Sequence, residues 1–135
     1  MDAKVLDILV VDDQPGVRQL INVLGREEGH RMHMATNGQE AVEAAGAIQP
    51  DLVFMDVRMP VMDGLEALPL IREINPKAVV IMMTAYTGDA TSRVVLENRA
   101  DAVMTKPFDL ENVRAMIRKV AFTRPGWELA SGCAG

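Results

Sequence analysis

Three observations in the sequence predict an α/β fold with a parallel sheet. Short apolar runs alternate five times with segments of helical period. The runs Ile8-Leu9-Val10-Val11, Leu52-Val53-Phe54-Met55 and Val79-Val80-Ile81-Met82-Met83 are apolar throughout, as befits strands covered on both faces. Polar residues also gather at their downstream ends. Asp12 and Asp13 close the first of these runs, Asp56 the second and Thr84 the third, and Lys106 follows Ala102-Val103-Met104-Thr105. Ligands of open α/β sheets bind outside the carboxyl ends of the strands, so these five residues are expected to meet in one place.

The elements follow in order. Val17, Leu20, Ile21 and Leu24 recur at helical spacing, which predicts a helix to about Glu28, stopped by Gly29. Pro15 suits its first turn, where a missing N–H does no harm. Arg31 to Ala35 is a weaker strand, placed nearer an edge. Asn37-Gly38-Gln39-Glu40 offers a cap with Glu three residues on, ahead of Ala41, Val42, Ala45 and Ile48. A third helix starts near Gly64 with Leu65, Leu68 and Ile71, and Pro69 inside it predicts a kink or a shortened helix. A fourth, about Asp89 to Asn98, has the poorest stripe, with only Ala90, Val94 and Val95 clearly apolar. The fifth is capped by Asp109, turns Leu110, Val113, Ile117 and Val120 inward, and carries Arg118 and Lys119 in its last turn.

Five such units with short connections imply right-handed crossovers. Strand 1 ends in two carboxylates and has to lie between strands 2 and 3 for several strands to share one site. Order 2-1-3-4-5 satisfies this: a doubly wound five-stranded parallel sheet with five helices, flavodoxin-like in topology. Residues 1–121 form the domain, and 122–135 are read as a short tail.

Composition narrows the function. A chain of 135 residues has room for one core. Its net charge of -5 and lack of a basic run argue against nucleic acid as a direct ligand. No apolar stretch approaches the roughly 20 residues that span a bilayer, so no membrane association is expected. Met1-Asp2-Ala3-Lys4 does not open a signal peptide. Cys133 is the only cysteine, which leaves neither a disulfide framework nor a cysteine metal site. A reducing, cytoplasmic setting is the simplest reading.

Converging carboxylates repel one another, and a hard divalent cation with oxygen ligands resolves the conflict. Mg²⁺ is the natural choice beside phosphate, with Mn²⁺ as a substitute. Asp13 and Asp56 are expected as direct ligands and Asp12 through water. One carboxylate can then attack phosphorus, giving an acyl phosphate. Metal, Thr84 hydroxyl and Lys106 ammonium would serve the equatorial oxygens. Asp56 is the best nucleophile, because it stands alone on its strand and faces both donors.

Taken singly, each residue has a plainer explanation. An acidic pair after a strand often only caps a helix. Asp56 could be a loop acid, Thr84 a strand-end hydroxyl, Lys106 a solvated amine, Arg58 a loop charge and Tyr86 packing. Joint occurrence favours the site. His30 and His33 have no acids at ligand spacing and are read as surface residues, and the ten methionines as core filler. Trp127 and Cys133 carry no readable signal.

Val11-Asp12-Asp13, Met55-Asp56-Val57-Arg58-Met59-Pro60, Met62-Asp63-Gly64, Met83-Thr84-Ala85 and Lys106-Pro107-Phe108 resemble the receiver domain of two-component response regulators. The likeness covers about residues 5 to 120. Asp13-Gln14, Gly16 and Met83-Thr84-Ala85-Tyr86 are especially similar to single-domain phosphorelay intermediates of the sporulation type. The resemblance implies Asp56 as phosphoacceptor, Asp12 and Asp13 as acid pair, the Arg58 carbonyl as metal ligand, and Thr84 and Lys106 as phosphoryl contacts. It also implies a cis peptide before Pro107, which residue type permits. Implied partners are a sensor histidine kinase or histidine phosphotransferase, with acetyl phosphate as a small donor. Resemblance and geometry together place recognition at Gly16, Val17 and Leu20 and at Pro107 and Phe108. Arg58 and Tyr86, each two residues beyond a site residue, are expected to flank and shield the phosphoryl group.

Two positions depart from the family pattern. Val103 stands where an aromatic is usual, and Arg99 where glycine is common, which removes the ring from the usual switch. Other functional classes are a receiver cut from a longer transcriptional regulator, a haloacid-dehalogenase-like phosphatase, and an interaction module without phosphorylation. The phosphatase class calls for aspartates two residues apart and a cap insertion, and this chain has adjacent aspartates and no room for a cap.

Overall fold

The computed structural model describes residues 4–85 and 99–123. The expected helix at about Asp89 to Asn98 and the tail beyond 123 lie outside them, as does Tyr86.

Nine elements are described: β1 Asp7–Val11, α1 Pro15–Glu27, β2 Arg31–Ala35, α2 Gly38–Ile48, β3 Leu52–Asp56, α3 Gly64–Ile74, β4 Val79–Thr84, β5 Ala102–Thr105 and α4 Leu110–Thr123. The strands form one sheet in the order β2-β1-β3-β4-β5, and every pairing is parallel. The expected topology is the observed one. β2, the least buried strand, lies at an edge.

Alternate strand residues point to opposite faces, and this splits the core in two. Ile8, Val10, Phe54 and Ile81 join Ile21 and Leu24 of α1 and Val113, Ile117 and Val120 of α4 on one face. Leu9, Val11, Val53 and Val80 join Ala41 and Ala45 of α2 and Ala67, Leu68 and Ile71 of α3 on the other. β3, inside the sheet with a layer on each side, is buried at all five positions. Its last residue is an aspartate, so the fold carries a carboxylate to the edge of a dry interior.

Local chemistry explains the element ends. Gly29 takes φ +90 just past α1, a conformation that costs an ordinary side chain but not glycine. Asn37 caps α2 by accepting from the Glu40 backbone N–H at 2.9 Å. The Glu40 carboxylate turns to the Thr36 N–H and hydroxyl rather than completing a box. A reciprocal capping box does form at α3. Asp63 accepts from the Glu66 N–H at 2.9 Å and Glu66 from the Asp63 N–H at 3.1 Å.

Three expectations need correction. Of the kink or shortening expected at Pro69, the shortening does not occur, and α3 runs on to Ile74; the ring is exposed, and the capping box and the buried Ala67, Leu68 and Ile71 hold both sides of it. Leu110, expected inside, is 41% exposed, since it opens α4 before the helix has settled on the sheet. His30 and His33 are half-buried rather than on the surface. His30 Nδ1 accepts from the Leu6 N–H at 3.0 Å, and His33 Nε2 lies 3.1 Å from an Asp7 carboxylate oxygen.

Candidate functional site

β1 delivers two carboxylates with opposite surroundings. Asp12 is fully buried and Asp13 is exposed. The Asp12 carboxylate accepts from the Gln14 N–H at 2.9 Å and from Lys106 Nζ at 2.7 Å. Its backbone carbonyl accepts from Arg18 Nη1 at 2.7 Å, which ties α1 to the acid pair. Asp56 ends β3 and is 8% exposed. The chain beyond it is pinned by Val57 N–H donating to Met83 at 2.9 Å and Gly64 N–H donating to Val57 at 2.7 Å. A Cβ on Gly64 would lie 2.2 Å from the Asp56 carbonyl oxygen, so α3 can start this close only from glycine.

Buried Thr84 ends β4, and its carbonyl accepts from the Lys106 N–H at 2.8 Å. The Lys106–Pro107 peptide is cis, as the resemblance implied. Lys106 Nζ stands 2.7 Å from Asp12, 3.3 Å from Asp56 and 3.4 Å from Gln14 Oε1. Asp12, Asp13 and Asp56 each present an oxygen within 4.8 Å of the others. Five residues from four strand ends are gathered around one point.

The electrostatics are unbalanced. Burial raises the pKa of Asp56, and the neighbouring Asp12 charge adds to the rise, while Lys106 and the Arg58 backbone N–H only partly offset it. Burial would lower the Lys106 pKa, but hydrogen bonds and charges from Asp12 and Asp56 outweigh it, and the net shift is upward. Three carboxylates face one ammonium. That donor set, all oxygen and in excess of negative charge, suits a hard divalent cation.

A cleft of about 900 Å³ opens onto Asp56. Asp13, Arg58, Thr84 and Lys106 line it, and so do Val17, Leu20, Pro107 and Phe108. Four of the five residues expected to receive a partner therefore border the cleft. Gly16 is exposed on α1 but does not line it. Tyr86 lies outside the described residues. The Arg58 N–H bonds to the Asp56 carboxylate. Val103 is half-buried in β5, and Arg99 takes φ 74, the conformation that glycine adopts freely.

Sequence reasoning missed Gln14, Arg18 and Ala85 as neighbours of the site. Gln14 carried a signal: it sits at the N-cap of α1, where Ser, Asp or Asn would be expected, and makes no side-chain cap bond. Arg18 carried none, because its target is a backbone carbonyl.

Comparison with known proteins agrees with this geometry. The chain is 37% identical over 115 residues to sporulation initiation phosphotransferase F of Bacillus subtilis, covering 83% of this chain and 90% of the relative. It is 38% identical to the regulatory protein AtoC of Escherichia coli over 112 residues, 83% of this chain but only 24% of that relative. Among solved structures, the chemotaxis response regulator CheY4 of Vibrio cholerae superimposes with a TM-score of 0.80 at 26% identity, covering 87% of this chain and 99% of that one. Among the described residues no helix is long and apolar enough to cross a membrane. The family of the response regulator receiver domain matches residues 8–118, and the chain belongs to it.

Proposed function

We propose that Asp56 accepts a phosphoryl group from a phosphohistidine, in a reaction that needs Mg²⁺ or Mn²⁺, and that the protein signals by contact or by passing the group on. One observation carries the reading. A carboxylate at the end of a strand buried along its whole length faces the cleft between an ammonium and an acidic pair. Asp13 and Asp56, with Asp12 behind them, would hold the cation, and the Arg58 carbonyl is a further candidate ligand. When bound, the metal supplies positive charge to the phosphoryl oxygens.

Protein groups do the rest. The Val57 and Gly64 backbone bonds fix the Asp56 carboxylate against recoil. The Asp56 oxygen attacks phosphorus while the leaving group departs opposite to it. Lys106 is within reach of Asp56 and can follow an incoming phosphoryl oxygen, with the Thr84 hydroxyl as a second donor. Burial strengthens these charge interactions relative to water. On this reading the chain catalyses only its own phosphorylation and dephosphorylation.

Partners in this reading are a sensor histidine kinase or a histidine phosphotransferase, met at Gly16, Val17, Leu20, Pro107 and Phe108, with acetyl phosphate as a small donor and without direct nucleic-acid binding. A stand-alone relay role is supported by the span shared with the sporulation phosphotransferase, and the setting proposed for it is the cytoplasm. The 24% coverage of AtoC supports the alternative, a receiver that belongs to a longer regulator. Membership in the receiver family leaves the haloacid-dehalogenase reading without support.

The test is labelling by a phosphorylated histidine phosphotransferase with Mg²⁺, followed by mapping of the hydroxylamine-labile acyl phosphate. Label on Asp56, absent from Asp56→Asn, is the expected result. Full labelling of Asp56→Asn contradicts the assignment.

A further inference from the structure

The cleft in front of Asp56 has two kinds of wall, and a small phosphodonor's phosphate meets only one of them; the other, proposed above to meet a protein partner, is also open to the donor's tail. Asp13, Asp56, Arg58 and Lys106 form the charged side. Val17 and Leu20 of α1, with Pro107 and Phe108 of the β5–α4 loop, form an apolar side of the same cleft. Val17 and Phe108 are half-buried and packed on the core, so they make a fixed surface. Leu20 leaves 37% of its surface in water. A donor as small as acetyl phosphate offers such a wall one methyl group.

We propose that the cleft takes small acyl phosphates with an apolar tail in preference to acetyl phosphate, the tail lying against Leu20 and Phe108. The inference rests on the reading of Asp56 as phosphoacceptor. An Asp56 carboxylate oxygen bonds to phosphorus as the bond from phosphorus to the acyl oxygen breaks. That oxygen keeps the electron pair and leaves as a free carboxylate, and no proton has to move. The leaving oxygen stands opposite the attacking one, so the group it carries extends away from Asp56 into the rest of the cleft. Charge complementarity sets the orientation: the phosphate end belongs with Lys106 and Arg58, which leaves the tail for the apolar side.

Hexanoyl phosphate is the probe, since its leaving group is nearly as basic as acetate and its tail is longer. Covering the equivalent of about two methylenes raises the second-order rate about tenfold. Initial rates of Asp56 phosphorylation are measured with Mg²⁺ for both donors on the full chain and on Leu20→Ser and Phe108→Ala, with circular dichroism to verify folding. We expect the hexanoyl-to-acetyl ratio to be about ten in the wild type and to fall toward one in the variants. A wild-type ratio near one with robust acetyl phosphate labelling overturns the tail site and leaves the phosphoacceptor reading intact. A high ratio that survives in both folded variants also overturns it. Labelling by neither small donor, where a phosphorylated histidine phosphotransferase still labels Asp56, overturns the tail site alone; labelling by none of the three overturns both readings.

Discussion

Neutralising Asp56 should stabilise the metal-free protein while abolishing its phosphorylation, and the size of the effect follows from the charge arrangement. At an effective dielectric of about 20, carboxylates within 4.8 Å of each other repel by about 3.5 kcal/mol or more, and an ammonium at 3.3 Å attracts by about 5 kcal/mol. Asp12 and Asp13 together thus oppose the Asp56 charge by about 7 kcal/mol against about 5 from Lys106. Water around exposed Asp13 weakens one repulsion, whereas burial of Asp56 adds a desolvation cost. A net penalty of about 1 kcal/mol remains, or about 4 °C in melting temperature for a domain of this size.

The raised Asp56 pKa means that the fold favours the protonated carboxyl, so stability is lost as pH rises through the folded value. Asp56→Asn removes that loss. Mg²⁺ should reverse the order: at about ten times a millimolar-class dissociation constant it adds about 1.4 kcal/mol to the wild type, and much less to the variant. Thermal denaturation of both proteins in chelator and in Mg²⁺ is the assay. If Asp56→Asn melts lower than the wild type in chelator, the cluster is not strained by its own charge. If Mg²⁺ shifts both proteins equally, the metal does not bind through Asp56.

Other outcomes are open to direct measurement. Val17 and Phe108 substitutions should slow transfer from a histidine phosphotransferase at least about tenfold more than labelling by acetyl phosphate, as expected of contact residues; equal loss in both assays indicates a damaged fold. Arg58→Ala combined with Tyr86→Ala should shorten the half-life of phospho-Asp56, since Arg58 borders the cleft and can hold phosphate oxygens; an unchanged or longer half-life removes the shielding argument. His30 accepts the Leu6 N–H and its burial lowers its pKa, so stability should fall as pH drops below about 6.5, and His30→Gln should flatten that limb of the melting curve. Val61, a β-branched residue at φ 69 and 80% exposed, centres a turn closed by Met62 N–H to the Pro60 carbonyl at 2.7 Å; Val61→Gly should raise stability by about 1 kcal/mol in chemical denaturation.

The fold was legible because β3 and β4 are buried along their whole length and β1 nearly so, which leaves no room for an alternating pattern. Departures from expectation arose where one residue's fate depends on distant chain. Leu110 has the same composition signal as Val113, but only its position at the first turn of α4 decides that it meets water. His30 and His33 found partners at the start of β1, in Leu6 just before it and Asp7 within it, across sequence separations of 24 and 26. No spacing rule could have joined them before the β1–β2 register was known.

The site was legible for a different reason. Topology alone sends every strand's carboxyl end to one edge, so the identities of the terminating residues describe the site before any distance is known. Asp12, Asp56, Thr84 and Lys106 needed only that rule. The division of labour within the acid pair did not follow from it. Asp12, expected to act through water, is the fully buried partner of Lys106, and the adjacent Asp13 is exposed. Neighbouring residues at a strand end point in opposite directions, so one carboxylate turns into the sheet and the other toward solvent and the cleft. The pair thus combines a fixed inner charge that holds Lys106 with an outer carboxylate placed where an arriving cation and phosphate can meet it.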